Sequence, residues 1–264
     1  GEVPAVPAVD SGRVRVGTSP SNTLVFVPAV RYVGSMAQRY FTPALFTFIR
    51  DLKANNDREW FHENKQRYED VVREPAKDFI DAFATPLGKI TEHFVADTRS
   101  VGGSLFRIHR DTRFSKDKTP YKTHVGIHFR HIASRDNVHA PGMYVHLEPG
   151  ACFVGAGLWR PATADAYKIR EAIADDPGRW KRATRSKAFT DLYTIDGDSL
   201  KRPPKGFDPE HPFLEDLKRK DFMASTKITQ KLVTSEEFLP EYVKLVKKSA
   251  PLMRFLCDAV GVPF

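Results

Sequence analysis

The segment richest in groups that could do chemistry is 107–123, RIHRDTRFSKDKTPYKT, in which three arginines and three lysines accompany two aspartates. Arginine presents a planar fork of donors that matches a phosphate or carboxylate, and lysine adds a mobile point charge. Residues 117–120, DKTP, have the composition of a turn, which predicts a strand that leads into an exposed loop. We therefore expect this segment to bind an anion.

Two kinds of candidate come from this segment and the strands near it. The ligand-binding candidates are Arg107, Arg110, Arg113, Ser115, Lys118 and Lys122. For proton transfer, Asp111 would orient the arginines or act as a base, and Tyr121 and His146 are candidate proton donors. If a reaction follows binding, these groups predict hydrolysis or group transfer on the bound anion.

The order Arg110-Asp111-x-Arg113 has a geometric consequence at the end of an extended strand. Asp111 and Arg113 share one face of such a strand, and Arg110 points to the other. Asp111 is thus expected to hold Arg113 and to leave Arg110 to act on the opposite side. The structural alternative is that the arginines pair with acidic groups within 57–82 and fasten the sheet to the helices.

Five histidines lie close together in the sequence: His124, His128, His131, His139 and His146. On a strand over 124–131, His124 and His128 share a face, and pairing with a strand over 142–148 would bring His128 near His146. A metal site or an acid–base pair is the functional interpretation. Because no carboxylate or third histidine has an evident ligand spacing, we predict structural histidines and no metal site.

The common signatures of cofactor-dependent and nucleophile enzymes are absent from the chain, namely GxGxxG, GxxxxGK[ST], GxSxG and HExxH. Ser115 and Lys118 match the S-x-x-K pattern of acyl-serine enzymes, but that pattern needs a helix, which Pro120 disfavours. No cofactor is assigned, and the sequence leaves open whether the protein is an enzyme.

Positive charge is concentrated around the same segment. The 264-residue chain has a formal net charge of +8, and residues 99–135 hold nine Lys or Arg against two Asp. Such asymmetry is typical of proteins that bind phosphates or nucleic acid. Aromatic residues alternate with basic ones, as in Phe106-Arg107 and Tyr121-Lys122, so nucleic-acid binding by a basic, aromatic-bearing sheet face is an alternative hypothesis. A non-enzymatic interaction module is the third.

Cysteine use and hydropathy predict where the protein resides. Cys152 and Cys257 lie far apart in apolar contexts, which indicates free thiols in a reducing compartment. No run approaches the roughly 20 apolar residues that span a bilayer. We therefore expect a cytoplasmic protein with no membrane partner; its oligomeric state is not indicated.

The periodicity of apolar residues predicts the elements that position these side chains. Helices are expected after Thr42-Pro43, after Asp57 and from Pro75, then from Thr163 and over 177–186. A last helical stretch is expected from a Thr234/Glu237 capping box through Leu256, kinked or broken at Pro251. Strands are expected over 104–110, 124–131, 142–148, 151–157 and 188–194, with a turn at Pro149-Gly150 and a proline-rich loop over 196–212.

This order of elements predicts an α+β fold: a predominantly antiparallel sheet from 104–157 and 188–228, packed by N-terminal and C-terminal helices. Residues 1–35 differ in composition, with VPAV occurring three times, and Gly34-Ser35-Met36 has the form of a cloning junction. We expect 1–35 to be a tag or an extended extension, and 36–264 to be a single α+β domain.

Several segments together resemble the widespread domain-of-unknown-function family 2461. The matching ranges are 48–68, 107–123, 142–161, 169–170 and 200–213, and the similarity covers about 41–256. Met143 departs from the aromatic residue expected there. The resemblance implies a soluble single-domain protein whose recurring polar residues lie in these segments, and it carries over no catalytic assignment.

Overall fold

Residues 38–134 and 139–264 are described by a computed structural model of the chain. The N-terminal part of this range is helical, with α1 (Pro43–Ala54), α2 (Arg58–Glu63), α3 (Lys65–Tyr68) and α4 (Glu74–Gly88). A π-helical turn, Glu69–Arg73, joins α3 to α4. The predicted start at Thr42-Pro43 is confirmed, as is the cap at Asp57, whose carboxylate accepts the Trp60 N–H at 2.9 Å.

Six strands in the described ranges form one sheet: β1 (Phe94–Val95), β2 (Val125–His131), β3 (Gly142–Leu147), β4 (Phe153–Leu158), β5 (Thr194–Asp196) and β6 (Phe222–Lys227). Their spatial order is β1-β2-β3-β4-β6-β5, and every neighbouring pair is antiparallel. The predicted α+β class is therefore confirmed, together with the β3–β4 hairpin around Pro149-Gly150.

The remaining helices lie mostly after β4 in the sequence: α5 (Thr163–Asp175), α6 (Pro177–Arg185), α7 (Lys187–Thr190), α8 (Leu214–Leu217), α9 (Gln230–Val233) and α10 (Phe238–Val260). A short 3-10 turn, Ile132–Ser134, follows β2. None of the helices in the described ranges is both long enough and apolar enough to cross a membrane.

The two faces of the sheet differ because side chains alternate along each strand. The apolar face carries Ile127 and Phe129, and α4 and α10 cover it: the ring of Phe83 lies 4.7 Å from that of Phe129 and 4.8 Å from that of Tyr242. The opposite face, which we call the polar face, carries the side chains of the alternate residues along each strand. Its side chains include His124, His128, Arg130, Tyr144, His146, Glu148 and Ser225.

The predicted helix start at Pro75 is confirmed to within one residue, since α4 begins at Glu74 and holds the proline in its first turn, directly after the π-helical turn. The predicted capping box at Thr234 and the predicted kink or break at Pro251 fare differently. The Thr234 hydroxyl donates back to the Gln230 carbonyl at the end of α9 rather than forward into a capping box, and α10 begins at Phe238. Pro251 lies inside α10, whose flanking residues are buried against the core.

Two predicted strands are also wrong. Over 104–110 only isolated bridges occur, at Leu105 and His109, because the segment pairs briefly with the edge of β2 and then turns away. The start of 188–194 belongs to α7, and the strand begins at Thr194. The predicted extension 1–35 and the domain start at 36 lie outside the described residues and stay predictions.

Gly157 provides a test of the β4–β6 pairing. A Cβ there would lie 2.2 Å from the Phe222 carbonyl oxygen, and the residue has φ +136°. Gly157→Ala is expected to lower the free energy of unfolding by about 3 kcal/mol, since strain and overpacking each cost about 1–3 kcal/mol. Urea denaturation measures the loss.

Gly88→Ala is the matched control, because no heavy atom lies within 4 Å of its added Cβ. It should leave stability unchanged or raise it by up to ~1 kcal/mol, as expected for alanine in a helix. Equal stabilities for the two variants would contradict the close approach of β4 to β6.

Candidate functional site

The basic loop, residues 107–123, is fastened to the helices by one asparagine. Asn56, between α1 and α2, donates from Nδ2 to the Tyr121 carbonyl and accepts the Tyr121 N–H at Oδ1, both at 3.0 Å. The Tyr121 ring stacks on Phe61 of α2 with centroids 4.1 Å apart. Since the side-chain amide makes both hydrogen bonds that a neighbouring strand would make, Tyr121 is held in place although it lies in a loop.

A groove runs between α2–α3 and the basic loop. Its outer part, of about 440 Å³, is lined by Arg58, Phe61, His62, Lys65, His109, Arg110, Thr112, Pro120 and Tyr121. Its inner part, of about 210 Å³, shares Phe61, Lys65 and His109 and extends toward α4 and residues 98–108. We call the two parts together the basic groove. No carboxylate lines the outer part within the described residues, and Glu69 lines the inner part.

Three cations in the basic groove, Arg58, Lys65 and Arg107, have no hydrogen-bonded or ion-paired side-chain partner among the described residues. The carboxylate in the inner part does not neutralise them, because Glu69 holds Arg73 with two contacts of 2.9 Å. The groove therefore contains positive charge that the described part of the chain does not compensate.

The pKa of His109 responds to these charges. Burial lowers it most, and the cations of Arg107, Lys122 and Arg58 lower it further. No carboxylate acts in the opposite direction on this imidazole. A positive potential at the centre of the groove attracts anions.

Arg110 and Lys122 are tied to the loop itself. The Arg110 guanidinium donates to the Asp117 carboxylate and to the Thr119 hydroxyl. The Lys122 ammonium donates to the carbonyls of Arg107 and His109. Burial lowers the pKa of Lys122 most, followed by the guanidiniums of Arg107 and Arg110. Lys122 thus holds the loop backbone, while Arg110 borders the groove with its charge partly satisfied.

Arg113, Ser115 and Lys118 do not line the basic groove. Arg113 pairs with Asp111, as the strand geometry predicted, with contacts of 2.9 and 2.7 Å, but both side chains are exposed, at 77% and 60%. Lys118 donates to a loop carbonyl. The alternative that Arg110 and Arg113 pair with acidic groups of 57–82 is wrong, because both find partners within the basic loop.

The three proton-transfer candidates are not brought together. Hydrogen bonds from Arg113 lower the pKa of Asp111 to about 2, which favours the orienting role over that of a base near neutral pH. Tyr121 lines the outer groove, and burial raises the pKa of its phenol. His146 lies on the polar face of the sheet, outside the basic groove.

A second cluster lies on the polar face. The register pairs Gly126 with His146 and Val125 with Leu147, so His124 and Glu148 come side by side just beyond the ends of β2 and β3. One ligand atom from each of His124, His146 and Glu148 lies within 4.8 Å of the other two. The sequence offers no evident ligand spacing for a carboxylate, but the strand register brings Glu148 to these two histidines.

Sequence reasoning singled out His146 but missed His124 and Glu148 as its partners. It placed His128 near His146, whereas the ring stacked on His146 is that of His124, with centroids 4.5 Å apart. The available signal was the His146-x-Glu148 spacing, which puts both groups on one face of a strand. The strand register that brings His124 to His146 and Glu148 could not be predicted from the sequence of either strand alone.

Hydrogen bonds orient the cluster. His146 Nε2 lies 3.2 Å from Glu148 Oε2, and its Nδ1 lies 3.2 Å from the Tyr144 hydroxyl. Burial lowers the pKa of His146, against the opposing effect of Glu148. Burial, followed by His146, lowers the pKa of His124 to about 4. Both imidazoles are neutral near pH 7, which is the form in which histidine binds metals.

His128 is a buried histidine of the polar face. Its ring packs over Gly142, where an added Cβ would lie 1.9 Å from Nε2, and its Nδ1 has no partner in the described structure. Burial lowers its pKa to about 3, with smaller contributions from Arg130 and His139. His128 therefore stays neutral in the folded protein at any pH near neutrality.

Comparison with known proteins places the chain in a family. A family model described as conserved hypothetical protein (DUF2461) matches residues 44–255. The chain belongs to this family. Among curated proteins no relative matches it, and no solved structure matches it either. The match covers the basic loop, the basic groove and the cluster on the polar face, so all three lie in the part shared with DUF2461.

Asn56 provides a test of how this DUF2461 member holds its basic loop. Asn56→Ala removes both hydrogen bonds to Tyr121 and leaves a part-buried backbone pair without partners. A loss of about 1–3 kcal/mol in the free energy of unfolding is expected. Asn55→Ala is the matched control, since the Asn55 amide bonds only the Asp51 carbonyl at the exposed end of α1. It should change stability by no more than about 0.5 kcal/mol. Similar losses for both would argue against the Asn56 anchor.

His128 predicts a pH dependence of stability. The unfolded chain takes up a proton near the ordinary histidine pKa of about 6.5, while the folded protein does not until about pH 3. The unfolded state therefore binds more protons between these values, and stability falls as the pH drops from 7 to 5, by about 2 kcal/mol for this group. Urea unfolding at both pH values measures the change.

In the variant His128→Gln, the free energy of unfolding should fall less between pH 7 and 5, by the amount that His128 contributes, whatever the stability of the variant at pH 7. Gly88→Ala, which changes no titratable group, serves as the control and should keep the pH slope of the parent protein. An unchanged slope in His128→Gln would show that His128 takes up as many protons between pH 7 and 5 in the folded state as in the unfolded state, contrary to this prediction.

Proposed function

We propose that this protein binds a phosphorylated or other anionic small molecule in the basic groove. The observation that carries the proposal is the set of three uncompensated cations, Arg58, Lys65 and Arg107, around His109. Guanidinium and ammonium groups are the usual partners of phosphate and carboxylate. Cations without an acidic partner among the described residues are available to bind the anionic group of a ligand.

The size of the groove supports a small ligand. Its outer part, at about 440 Å³, lies within the roughly 300–1,000 Å³ range of small-molecule sites. Phe61 and Tyr121 line this part although their stacked rings are largely buried, and the core and Asn56 hold them in place.

The local ion pairs determine which arginines of the basic loop already have their charge partly neutralised. Asp111 and Asp117 occupy Arg113 and Arg110, so these arginines are partly neutralised before any ligand arrives. Arg107 borders the inner groove without such a partner. We therefore assign ligand binding first to Arg58, Lys65 and Arg107, and to Arg110 second. A hydrolytic or transfer step stays a prediction, with Tyr121 as the proton donor that lines the groove.

Nucleic-acid binding is supported by one observation. Phe114 is 96% exposed at the tip of the basic loop, and the Arg113 guanidinium lies 5.9 Å from its ring centre. Exposed aromatic and basic side chains together are what single strands stack on. Of the other aromatic residues beside basic ones, Tyr121 and Phe129 are buried and offer no such surface. The oligonucleotide arm of the experiment below tests this function.

The test is a thermal-shift screen followed by titration calorimetry. The probes are pyrophosphate, ATP, a sugar phosphate and a short single-stranded oligonucleotide, at low and at physiological salt. We expect at least one small anion to stabilise the protein. Arg58→Ala and Arg107→Ala should each weaken its binding by about 10–100-fold, because a charge-assisted hydrogen bond contributes about 1.5–3 kcal/mol.

Arg113→Ala is the matched control, since it removes an exposed cation outside the groove. It should alter neither the melting temperature nor the affinity for the small anion. Loss of binding in Arg113→Ala alone would move the site to the tip of the loop. Binding of the oligonucleotide only, with a steep salt dependence, would support the nucleic-acid function instead. If no probe binds, the proposal is wrong.

We also propose a cytoplasmic location. Cys152 and Cys257 are free and buried, and burial raises the pKa of both thiols. Unpaired thiols fit a reducing compartment.

A further inference from the structure

We propose that His124, His146 and Glu148 bind a divalent transition-metal ion of the zinc type. The three side chains come from two adjacent antiparallel strands and the residues just beyond them, and they lie on the polar face of the sheet. Nitrogen and carboxylate ligands in a two-to-one ratio suit Zn²⁺, Co²⁺ or Fe²⁺ better than Mg²⁺ or Ca²⁺, which prefer oxygen ligands only. The site is separate from the basic groove and does not depend on its function.

The spacing of the ligand atoms fits such an ion. His146 Nε2 and Glu148 Oε2 lie 3.2 Å apart, and the whole set of three ligand atoms lies within 4.8 Å. In a tetrahedral site with metal–ligand bonds of about 2.0–2.1 Å, neighbouring ligand atoms are about 3.3 Å apart. His146, on β3, and Glu148, just beyond it, thus already have the separation of two ligands of one ion.

His124 supplies the third ligand after a rotation of its ring. The rings of His124 and His146 are inclined by only 28°, and two nearly parallel rings cannot aim their lone pairs at one ion. His124 lies just before β2, and its side chain is half-buried. Rotation about its side-chain bonds would turn a ring nitrogen toward His146 Nε2 and Glu148.

The groups behind the ligands support coordination. The Tyr144 hydroxyl contacts His146 Nδ1, which leaves Nε2 toward Glu148, as outer partners commonly do for metal-bound histidines. Gly126 faces His146 across the strands, and a Cβ there would lie 2.7 Å from the Tyr144 hydroxyl. The glycine is therefore what lets Tyr144 lie over β2 and reach the histidine.

The cluster is open on one side. The His146 side chain is 13% exposed and that of Glu148 is 27% exposed, so solvent reaches the carboxylate. An ion held by three protein ligands keeps at least one further position for water or for a ligand oxygen, as catalytic rather than structural zinc sites do.

The proposal is tested by titrating the full-length, metal-stripped protein with Zn²⁺ and with Co²⁺. Calorimetry should give one tight site at pH 7.5, and Co²⁺ should develop the visible absorption bands of a low-coordinate ion. Mg²⁺ should neither bind there nor displace Co²⁺. His124→Gln and Glu148→Gln should each weaken Zn²⁺ binding by at least tenfold, and Tyr144→Phe, which keeps the ligands, should weaken it less.

Exposed His62→Gln is the control and should bind Zn²⁺ as the parent protein does. Melting temperatures and circular dichroism confirm that each variant is folded. Absence of Zn²⁺ and Co²⁺ binding in the parent protein would overturn the proposal. Binding that persists in both His124→Gln and Glu148→Gln would overturn it too, because the ion would then lie elsewhere.

Discussion

The constraint on which the structure depends is the alternation of side chains along two paired strands, β2 and β3. Every second residue must enter the core, where Ile127 and Phe129 meet α4 and α10. That requirement sets the register, because a slip of one residue would expose the whole apolar set. The same register fixes the alignment of the residues in between, whose side chains lie on the polar face. The approach of His124 to His146 and Glu148 is a consequence of packing on the opposite side of the sheet.

The same strand also positions the basic loop. Tyr121 and Lys122 lie just before β2 in the sequence. The Lys122 ammonium donates to two carbonyls of the loop, and the Asn56 amide holds the Tyr121 backbone. The helices thus contribute to the groove twice, by anchoring the loop backbone and by placing Arg58 and Lys65 opposite it. The π-helical turn at Glu69–Arg73 lies in the wall of this groove, a type of distortion that is frequent at functional sites.

Local patterns in the sequence were sufficient for the hairpin at Pro149-Gly150, the cap at Asp57 and the Asp111–Arg113 pair, because each depends on residues close together in the chain. Features formed by residues far apart in the chain could not be predicted from the sequence. Asn56 and Tyr121 are 65 residues apart, and nothing in either segment specifies their pairing. The helix continues through Pro251 for a related reason: burial of the flanking faces of α10 outweighs the lost backbone hydrogen bond. The site residues of the basic loop stay predictions, to be decided by the binding experiments.

The two candidate sites are built on different kinds of scaffold, and this difference matches what each is proposed to hold. Metal ligands must be placed to within a few tenths of an ångström, and strands provide that precision better than loops do. His146 and Glu148 come from such a strand or its first residue beyond. Binding an anion through long side chains tolerates much looser placement, since the attraction of unpaired charges falls slowly with distance. Arg58, Lys65 and Arg107 extend from short helices and a loop, where their backbones need only be held near the groove. His146 on a strand, and Arg58 and Arg107 on a short helix and a loop, are each on the kind of scaffold that the proposed ligand requires.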